Sequence, residues 1–318
     1  MSGFSTDLTS YVTRSLLYTT ELKELLDDDL MAMKYVNWIS SFPDGDTWNQ
    51  PSIGQAEVLD YEEDQPVKYT AMDTGNFTMT ITDYVQSGTY ITNKLKQDSY
   101  ISGQLMAKFI PEQHRAIMKD LEVKILNIAP ANQTSGNTNT INGAYHRFIG
   151  SGTNETISID DFARARYALD KANVPATNLV GIVDHSIAVQ LATLPNLSNL
   201  SFNPHWEGIV RTGITTGMRF IANVHGFDLY TSQNLTVNTA SETIGSLTAS
   251  AGVNNLFFSA DPSISPFIGA MRQPVRVDTK YNMDRQRDEY LTTMRYGLAF
   301  HRPENMVVIV TDTDQVYA

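Results

Sequence analysis

Residues 46–82, DTWNQPSIGQAEVLDYEEDQPVKYTAMDTGNFTMTIT, decide the fold that this sequence predicts. At the end of the stretch, Phe77, Met79 and Ile81 alternate with threonines. A period of two indicates a strand with one buried and one polar face. We therefore expect this strand to lie in the core of the protein.

The part before that strand, residues 46–75, predicts a long hairpin. Strand-like pieces occur at 55–61 and 67–72, and the turn-like sequence at 62–66 separates them. Its many acidic residues leave the hairpin too little apolar surface for a core of its own. Because no core is expected near Trp48, this side chain is a candidate anchor for another molecule.

The N-terminal side of the hairpin predicts an arm and a helix. Residues 1–18 are polar and show little periodicity, which favours an extended arm. From Thr19 or Thr20, leucines at helical spacing continue to Met33, and the sequence at 42–45 is expected to end the helix.

The C-terminal side predicts a long helix after residue 99. Apolar residues recur at helical spacing from Ile101 to Phe109 and again from Ile117 to Ile128. Pro111 lies between the two sets, so it either kinks one helix or lies in the first turn of a second one.

The rest of the chain has mixed character, and the predicted fold class is α+β. A polar loop covers 130–157, and a capping box at Ser158 and Asp161 begins a helix that stops near 173–175. Further elements are a buried strand at 179–183, a helix at 187–194, a strand pair at 219–235 around Gly226, and mainly strands after residue 256.

Composition excludes several classes of protein. The chain has 318 residues, a net charge of -12 and no cysteine, with Lys and Arg spread along its length. The charge argues against tight nucleic-acid binding, and the lack of cysteine excludes disulfides, thiol nucleophiles and cysteine-built metal sites. We find no signal-peptide pattern and no run of about 18 apolar residues, so we expect synthesis in the cytosol and no membrane span.

Candidate catalytic residues are few. The six histidines have no metal-ligand spacing, and we expect no cofactor or metal. Asp184 and His185 follow a predicted buried strand, where α/β enzymes often place catalytic groups, but the same pair is common as a helix cap. The sequence at 213–217 resembles a nucleophile elbow only loosely, because Thr replaces Ser, and a glycine-rich turn fits it better.

The segment 276–290, RVDTKYNMDRQRDEY, alternates charges of both signs. It is either a solvated strand face, which we slightly prefer, or a set of salt bridges between neighbouring subunits. In the second case the residues involved are Arg276, Asp278, Lys280, Arg285 and Arg287.

The order of elements resembles that of the major capsid proteins of tailed double-stranded DNA bacteriophages, which have the Hong Kong 97-type fold. Three stretches carry the resemblance: residues 45–91, SIDDFARARYALDKANVP at 158–175, and YGLAFHRPENMVVIV at 296–310. It covers nearly the whole chain and implies a structural shell subunit, not an enzyme.

The resemblance also implies a division of the chain. Its parts are an N-arm at 1–45, an extended hairpin called the E-loop at 46–75, a peripheral domain with a long spine helix at 76–154, an axial domain at 155–272, and returning peripheral strands at 273–318. Candidate subunit contacts in the E-loop are Trp48, Tyr61, Glu62, Glu63, Lys68 and Tyr69.

The implied partners are other copies of the chain in hexamers and pentamers. The short N-arm implies a separate scaffolding protein, and the family adds a portal and in some cases a decoration protein. The shell would enclose DNA without reading its sequence, in a virion made in a bacterial cytoplasm. Two alternatives remain open: an encapsulin-type compartment with the same fold, and a cytosolic α/β hydrolase that uses Asp184 and His185.

Overall fold

The computed structural model describes residues 30–39, 45–54, 58–60, 63–66, 69, 74–98, 102–193, 220–250 and 252–312. The predicted arm at 1–18, the start of the N-terminal helix, the elbow-like turn at 213–217, and Tyr61, Glu62 and Lys68 lie outside these residues. No helix in the described ranges has the length and apolar character that a membrane crossing requires.

The described chain contains long strands, short strands and one dominant helix. In chain order the strands are β1 (Val36–Ile39), β2 (Thr47–Ile53), β3 (Thr74–Thr80), β4 (Asp83–Thr92), β5 (Thr140–Ile141), β6 (Ala144–Tyr145), β7 (Arg147–Ile149), β8 (Leu179–Val183), β9 (Phe220–Val224), β10 (Phe227–Thr231), β11 (Glu242–Ile244), β12 (Leu247–Ala249), β13 (Gly252–Ser259), β14 (Phe267–Asn282), β15 (Arg287–Phe300) and β16 (Val307–Asp312). The helices are α1 (Asn93–Asp98), α2 (Ser102–Asn132), α3 (Ile159–Lys171) and α4 (His185–Thr193).

Two sheets form the body. One has four strands in the order β1-β14-β15-β4, and the other has six in the order β7-β16-β13-β8-β10-β9. Strands β8, β13 and β16 of the larger sheet are buried along their whole length. Such strands read as nearly continuous apolar runs, which is why the sequence at 179–183 predicted a buried strand correctly.

Helix α2 connects the two sheets. Its buried face, including Ile117, Leu121 and Ile125, shares one apolar core with side chains of both sheets. Pro111 lies inside α2, so one helix runs through it. Pro111 is exposed, and its ring therefore does not crowd the core. With 31 residues at about 1.5 Å each, α2 spans about 46 Å.

The N-terminal helix prediction is wrong at its C-terminal end. The chain forms a short 3-10 helix at Ala32–Tyr35 and then β1, where the sequence predicted continued α-helix. Strand β1 pairs in parallel with β14. The carboxylate of Glu122, buried on α2, accepts hydrogen bonds from the backbone N–H groups of Met31 and Ala32 and holds the segment in place.

The hairpin also differs from its prediction. Strands β2 and β3 pair antiparallel from Thr47–Thr80 to Ile53–Thr74. Of the pieces predicted as strands, the described residues 58–60 and 69 belong to no strand. The strand predicted at 77–81 is thus the second arm of the hairpin, because packing of the hairpin base on the body fixes the pairing there.

The middle of the chain follows the prediction closely. The Ser158 side chain and the Asp161 carboxylate form the expected capping box, in which the Ser158 N–H donates to Asp161 at 2.8 Å. The strand pair around Gly226 is β9 and β10, joined by a turn in which His225 and Gly226 both have positive φ.

Candidate functional site

The base of the β2–β3 hairpin packs on the four-stranded sheet. Met79 and Ile81 are 1% and 4% exposed, and they form a small apolar cluster with Ile268 and Ala270 of β14. Trp48 packs against this cluster and makes an edge-to-face contact with Phe77. The expectation that Trp48 has no core available is therefore wrong: a satellite core exists at the hairpin base.

The stem of the hairpin then leaves the sheet in a definite direction. The Phe77 ring lies 4.7 Å from the ring of His301, just beyond the end of β15. A cleft of about 410 Å³ separates residues 50–52 from Arg302 and Glu304. The stem therefore passes the C-terminal end of β15 and points away from the β14–β15 turn at 283–286.

The distal part of the hairpin, residues 54–73, is exposed at every residue that the structure describes, although Leu59 is partly covered at 39% exposure. Val58 and Tyr69 are 93% and 91% exposed. Asp60, Glu63, Asp64 and Pro66 are also exposed. Fully exposed large apolar side chains on a projecting arm are typical of residues that are buried in a complex.

A second uncovered surface runs along the four-stranded sheet from Tyr84, beside the hairpin base, toward the β14–β15 turn. Tyr84 and Tyr90 of β4 are 59% and 57% exposed, and Leu291 of β15 is 37% exposed. In the β4–β15 register Gly88 lies opposite Leu291 and Tyr90 opposite Glu289, so these side chains share a face. It is the face on which the hairpin base packs, in the part that the hairpin leaves bare, and Tyr84 lies nearest the base. We call Tyr84, Tyr90 and Leu291 the tyrosine patch.

The charged residues predicted at 276–290 lie beside this patch. Arg276, Asp278 and Lys280 pair in register with Thr293, Leu291 and Glu289, and thus lie on the same face. Arg276 binds Asp278 at 2.8 Å, and Arg287 binds Glu289 at 2.7 Å. Each of these ion pairs joins two residues of the same strand.

Arg287 also orders the patch. Its guanidinium lies 4.3 Å from the centre of the Tyr90 ring. Its hydrogen bond to Glu289 holds the pKa of that carboxyl below its ordinary value. Arg285 lies in the β14–β15 turn. The structure thus brings Arg276, Asp278, Lys280 and Arg287 together, whereas Glu63 and Tyr69 lie on the hairpin and Trp48 lies at its base.

Sequence reasoning missed the tyrosine patch. The signal was present, since Tyr84, Gln86, Gly88 and Tyr90 alternate with Val85, Ser87 and Thr89 along one strand. The prediction treated exposed strand faces as merely polar, and two tyrosines on such a face went unremarked.

The Asp184 carboxylate caps the first turn of α4. The Asp184 carboxylate accepts a hydrogen bond from the Ser186 N–H at 3.0 Å, and the Asp184 N–H donates to Asn255 at 2.9 Å. His185 is the first residue of α4. Within the described ranges, no cluster of three or more His, Asp or Glu side chains could hold a metal ion.

A buried ion pair links β7 to β11. Arg147 and Glu242 are joined by two hydrogen bonds, and the Arg147 Nη2–Glu242 Oε2 bond is 2.7 Å long. Burial alone would raise the pKa of the Glu242 carboxyl, but hydrogen bonds from Arg147, the Gly136 N–H and Ser135 outweigh it and lower that pKa. The Glu242 carboxylate receives hydrogen bonds from several parts of the chain, and this indicates a structural tie.

No model of a protein family matches the sequence. No curated protein matches it either. Solved structures do match. A structure titled "Mycobacterium phage Che8" has a TM-score of 0.69 at 18% identity and covers 93% of this chain and 97% of its own.

Two further matches are structures of phage capsids. The capsid structure of the cyanophage P-SCSP1u has a TM-score of 0.69 at 12% identity, covering 97% of this chain and 94% of its own. The mature capsid of bacteriophage PhiM1 has a TM-score of 0.68 at 9% identity, covering 95% and 92%. The chain therefore has the fold of these phage capsid subunits, as its resemblance to the Hong Kong 97-type fold predicted.

Proposed function

We propose that this chain is the major capsid protein of a tailed phage and that it builds an icosahedral shell around double-stranded DNA. The observation that carries the proposal is a capsid-subunit fold over nearly the whole chain, combined with a projecting hairpin whose apolar tip has no partner in its own subunit. The role is structural, and Asp184 and His185 cap a helix.

The two uncovered surfaces suggest how copies associate. The hairpin leaves one end of the four-stranded sheet, and the tyrosine patch runs along the same face from the hairpin base toward the other end. Contact between the hairpin of one copy and the patch of the next is a heterologous contact, which repeats around a ring when the rotation closes. Hexamers and pentamers are such rings.

The chemistry of the two surfaces is complementary. The hairpin tip carries Glu63 and Asp64 beside Tyr69, and the neighbouring Tyr61, Glu62 and Lys68 belong to the same segment of sequence. The patch is flanked by charges of both signs, with Arg276, Lys280 and Arg285 beside Asp278 and Glu289. We therefore propose that acidic tip residues meet the three basic side chains of this flank while Tyr69 and Val58 pack on the tyrosines. Trp48 acts from within, by holding the hairpin base on its own subunit.

We also propose the division of the chain that the resemblance to the Hong Kong 97-type fold implies. Residues 1–45 serve as the N-arm, and the projecting hairpin occupies 46–75 together with the rest of β3. Residues 76–154 and 273–318 form the peripheral domain with α2 as spine helix, and 155–272 form the axial domain. A scaffolding protein, a portal and in some phages a decoration protein complete the particle, which is assembled in the bacterial cytoplasm. The net charge of -12 suits a wall that repels packaged DNA.

The test replaces residues 54–73 with a short Gly-Ser turn and leaves β2 and β3 intact. The shortened subunit should fold, because the removed residues contribute no described core contact and a shorter loop costs less closure entropy. Assembly should be lost, because each subunit loses the same contact. Circular dichroism reports the fold, and electron microscopy and sedimentation report the particles.

A matched pair of variants separates the patch from general surface effects. Tyr84→Ser combined with Tyr90→Ser should abolish particles, whereas Tyr167→Ser on α3, where the side chain is 56% exposed, should leave them intact. Normal particles from the shortened subunit would contradict the proposed contact. If the unaltered chain forms no hollow particles, with or without co-expressed neighbouring genes, the capsid function itself is wrong.

A further inference from the structure

The hairpin base rests on Gly297 of β15 with its backbone in direct contact. A Cβ atom built on Gly297 would lie 2.9 Å from the Cα of Ile81 and 2.9 Å from the carbonyl oxygen of Thr80. Both of these are backbone atoms at the point where the chain passes from β3 to β4. No rotation of a side chain could make room for the Cβ.

The requirement for glycine at this position comes from space and not from backbone conformation. The glycines with positive φ in the described chain are Gly45, Gly136, Gly143, Gly226 and Gly245. Gly297 is not among them, and it lies within a regular antiparallel pairing opposite Ala270. Its backbone would accept alanine without strain, so only the chain crossing above it demands glycine.

The contact also lies where the direction of the hairpin is decided. Strand β15 pairs with β4 as far as the pair Tyr296–Asp83. At the next residue of β15, Gly297, the chain that precedes β4 crosses over the sheet and no longer pairs with it. The Ile81 N–H donates to the carbonyl of Asp46 at 2.7 Å, so both arms of the hairpin are joined directly above this glycine. Met79 and Ile81 bury their side chains on either side of it.

We propose that Gly297 is a positioning residue for assembly: it sets the height and tilt at which the hairpin leaves its subunit, and so sets where the tip meets the next copy. The inference rests on the proposed function. Ordinary contact begins at 3.4 Å, so a Cβ at 2.9 Å requires the base to rise by several tenths of an ångström. If the hairpin pivots about a neighbouring strand about 4.8 Å away, a rise of roughly 0.5 Å at its base is magnified along its length. A point about 23 Å along the hairpin then moves by roughly 2–3 Å.

The test is Gly297→Ala, measured in two ways. The chain has no cysteine, so Glu63→Cys on the hairpin tip and Arg285→Cys in the β14–β15 turn allow a spin-label distance measurement in the unassembled subunit. We expect Gly297→Ala to shift this distance by roughly 2 Å or more and to reduce the particle yield at least tenfold. Circular dichroism should remain that of the folded subunit.

Gly181→Ala is the matched control for loss of stability alone. Its Cβ would lie 2.6 Å from Leu229 Cδ2 and 2.8 Å from Phe257 Cε1, inside the six-stranded sheet and away from the hairpin. It should lower the melting temperature without changing the label distance or the particles formed at permissive temperature.

Three results would overturn the proposal. An unchanged label distance in Gly297→Ala is the first, and a normal particle yield despite a shifted distance is the second. The third is an equal loss of particles in both glycine variants.

If Gly297→Ala fails to fold, Met79→Ala tests the proposal instead, since it loosens the base without adding an atom. A broadened distance distribution with lost particles supports the proposal, and an unchanged distribution refutes it. Particles of the unaltered chain, prepared in parallel, test the capsid function separately.

Discussion

The six-stranded sheet and the hairpin tip are opposite extremes of one chain. Every residue of β8, β13 and β16 is buried, whereas the described residues between 54 and 73 are all exposed. The sheet satisfies its apolar surface and backbone within the subunit. The tip leaves Val58 and Tyr69 in water, and this has a physical explanation if another molecule covers them.

Under the proposed function, the residues that stabilise the subunit differ from those that mediate its assembly. Burial of apolar surface stabilises the subunit in proportion to the area removed from water. The tip removes little in the isolated chain, since Val58 and Tyr69 are almost fully exposed, so under the proposed function its residues serve a contact between subunits. The hairpin base lies between the extremes, because Met79 and Ile81 are buried in a small cluster of their own.

The largest effect on the isolated subunit should come from the sheet. Phe257 is fully buried, and its ring lies 5.6 Å from Phe162 and 5.3 Å from Phe227. Phe257→Ala should lower the free energy of unfolding by about 3–5 kcal/mol. Tyr69→Ala, at the tip, should change it by less than about 0.5 kcal/mol. Urea unfolding of unassembled subunits measures both, and equal losses would contradict the division between the two regions.

The hairpin base should give an intermediate result. Ile81 is 4% exposed, so Ile81→Ala should cost about 2–4 kcal/mol through lost burial and a cavity. The loss should be local, because the cluster contains few residues. Hydrogen exchange of the β2 and β3 amides should rise more than that of β13. An unchanged melting temperature together with unchanged exchange would mean that the base contributes nothing to the subunit.

How far the sequence predicted the fold depends on which interactions decide each element. The helix at 158–171 and the strand at 179–183 are decided locally, by a capping box and by an apolar run, and both were predicted correctly. Strand β1 was predicted as helix because its parallel partner lies in β14, more than 200 residues away. Non-local pairing of this kind leaves no periodic signal in a single sequence.

The candidate site was predicted in part, for the same reason. The exposed, acidic hairpin tip was visible in composition alone. The partners of Trp48 were not, since Met79 lies in β3 whereas Ile268 and Ala270 lie in β14, nearly 190 residues further along the chain. The tyrosine patch needed the β4–β15 register before its members could be placed on one face.

A smaller effect is expected at the end of β8. Asp184→Ala combined with His185→Ala removes the side-chain cap of α4 and should cost about 0.5–2 kcal/mol. Particle yield should not change, because neither residue lies on the hairpin or the patch. Thermal melts and electron microscopy measure the two quantities. Normal particles that nevertheless yield no infectious phage would reveal a role beyond structure.

The smallest effect concerns pH at the junction of the two regions, where His301 contacts Phe77 of the hairpin stem. Burial lowers the pKa of His301 from its ordinary value, and the positive charge of Arg302 lowers it further, while Glu304 opposes both. A histidine whose pKa is lower in the folded state stabilises the fold above its unfolded pKa of about 6.5. That contribution is lost as the pH falls through the folded pKa.

The stem should therefore open more often in mild acid. Between pH 7.5 and pH 5, hydrogen exchange of the β2 amides, corrected for its intrinsic pH dependence, should increase in the unaltered chain and less so in His301→Gln.

His146 is fully buried, and burial lowers its pKa as well, so acid also destabilises the body. His146 lies outside the hairpin, which makes exchange at the stem relative to exchange at β13 the decisive ratio. His114→Gln on the exposed side of α2 should leave this ratio as it is. If the ratio for His301→Gln changes with pH as it does for the unaltered chain, the His301–Phe77 contact does not couple the hairpin to the protonation of the body.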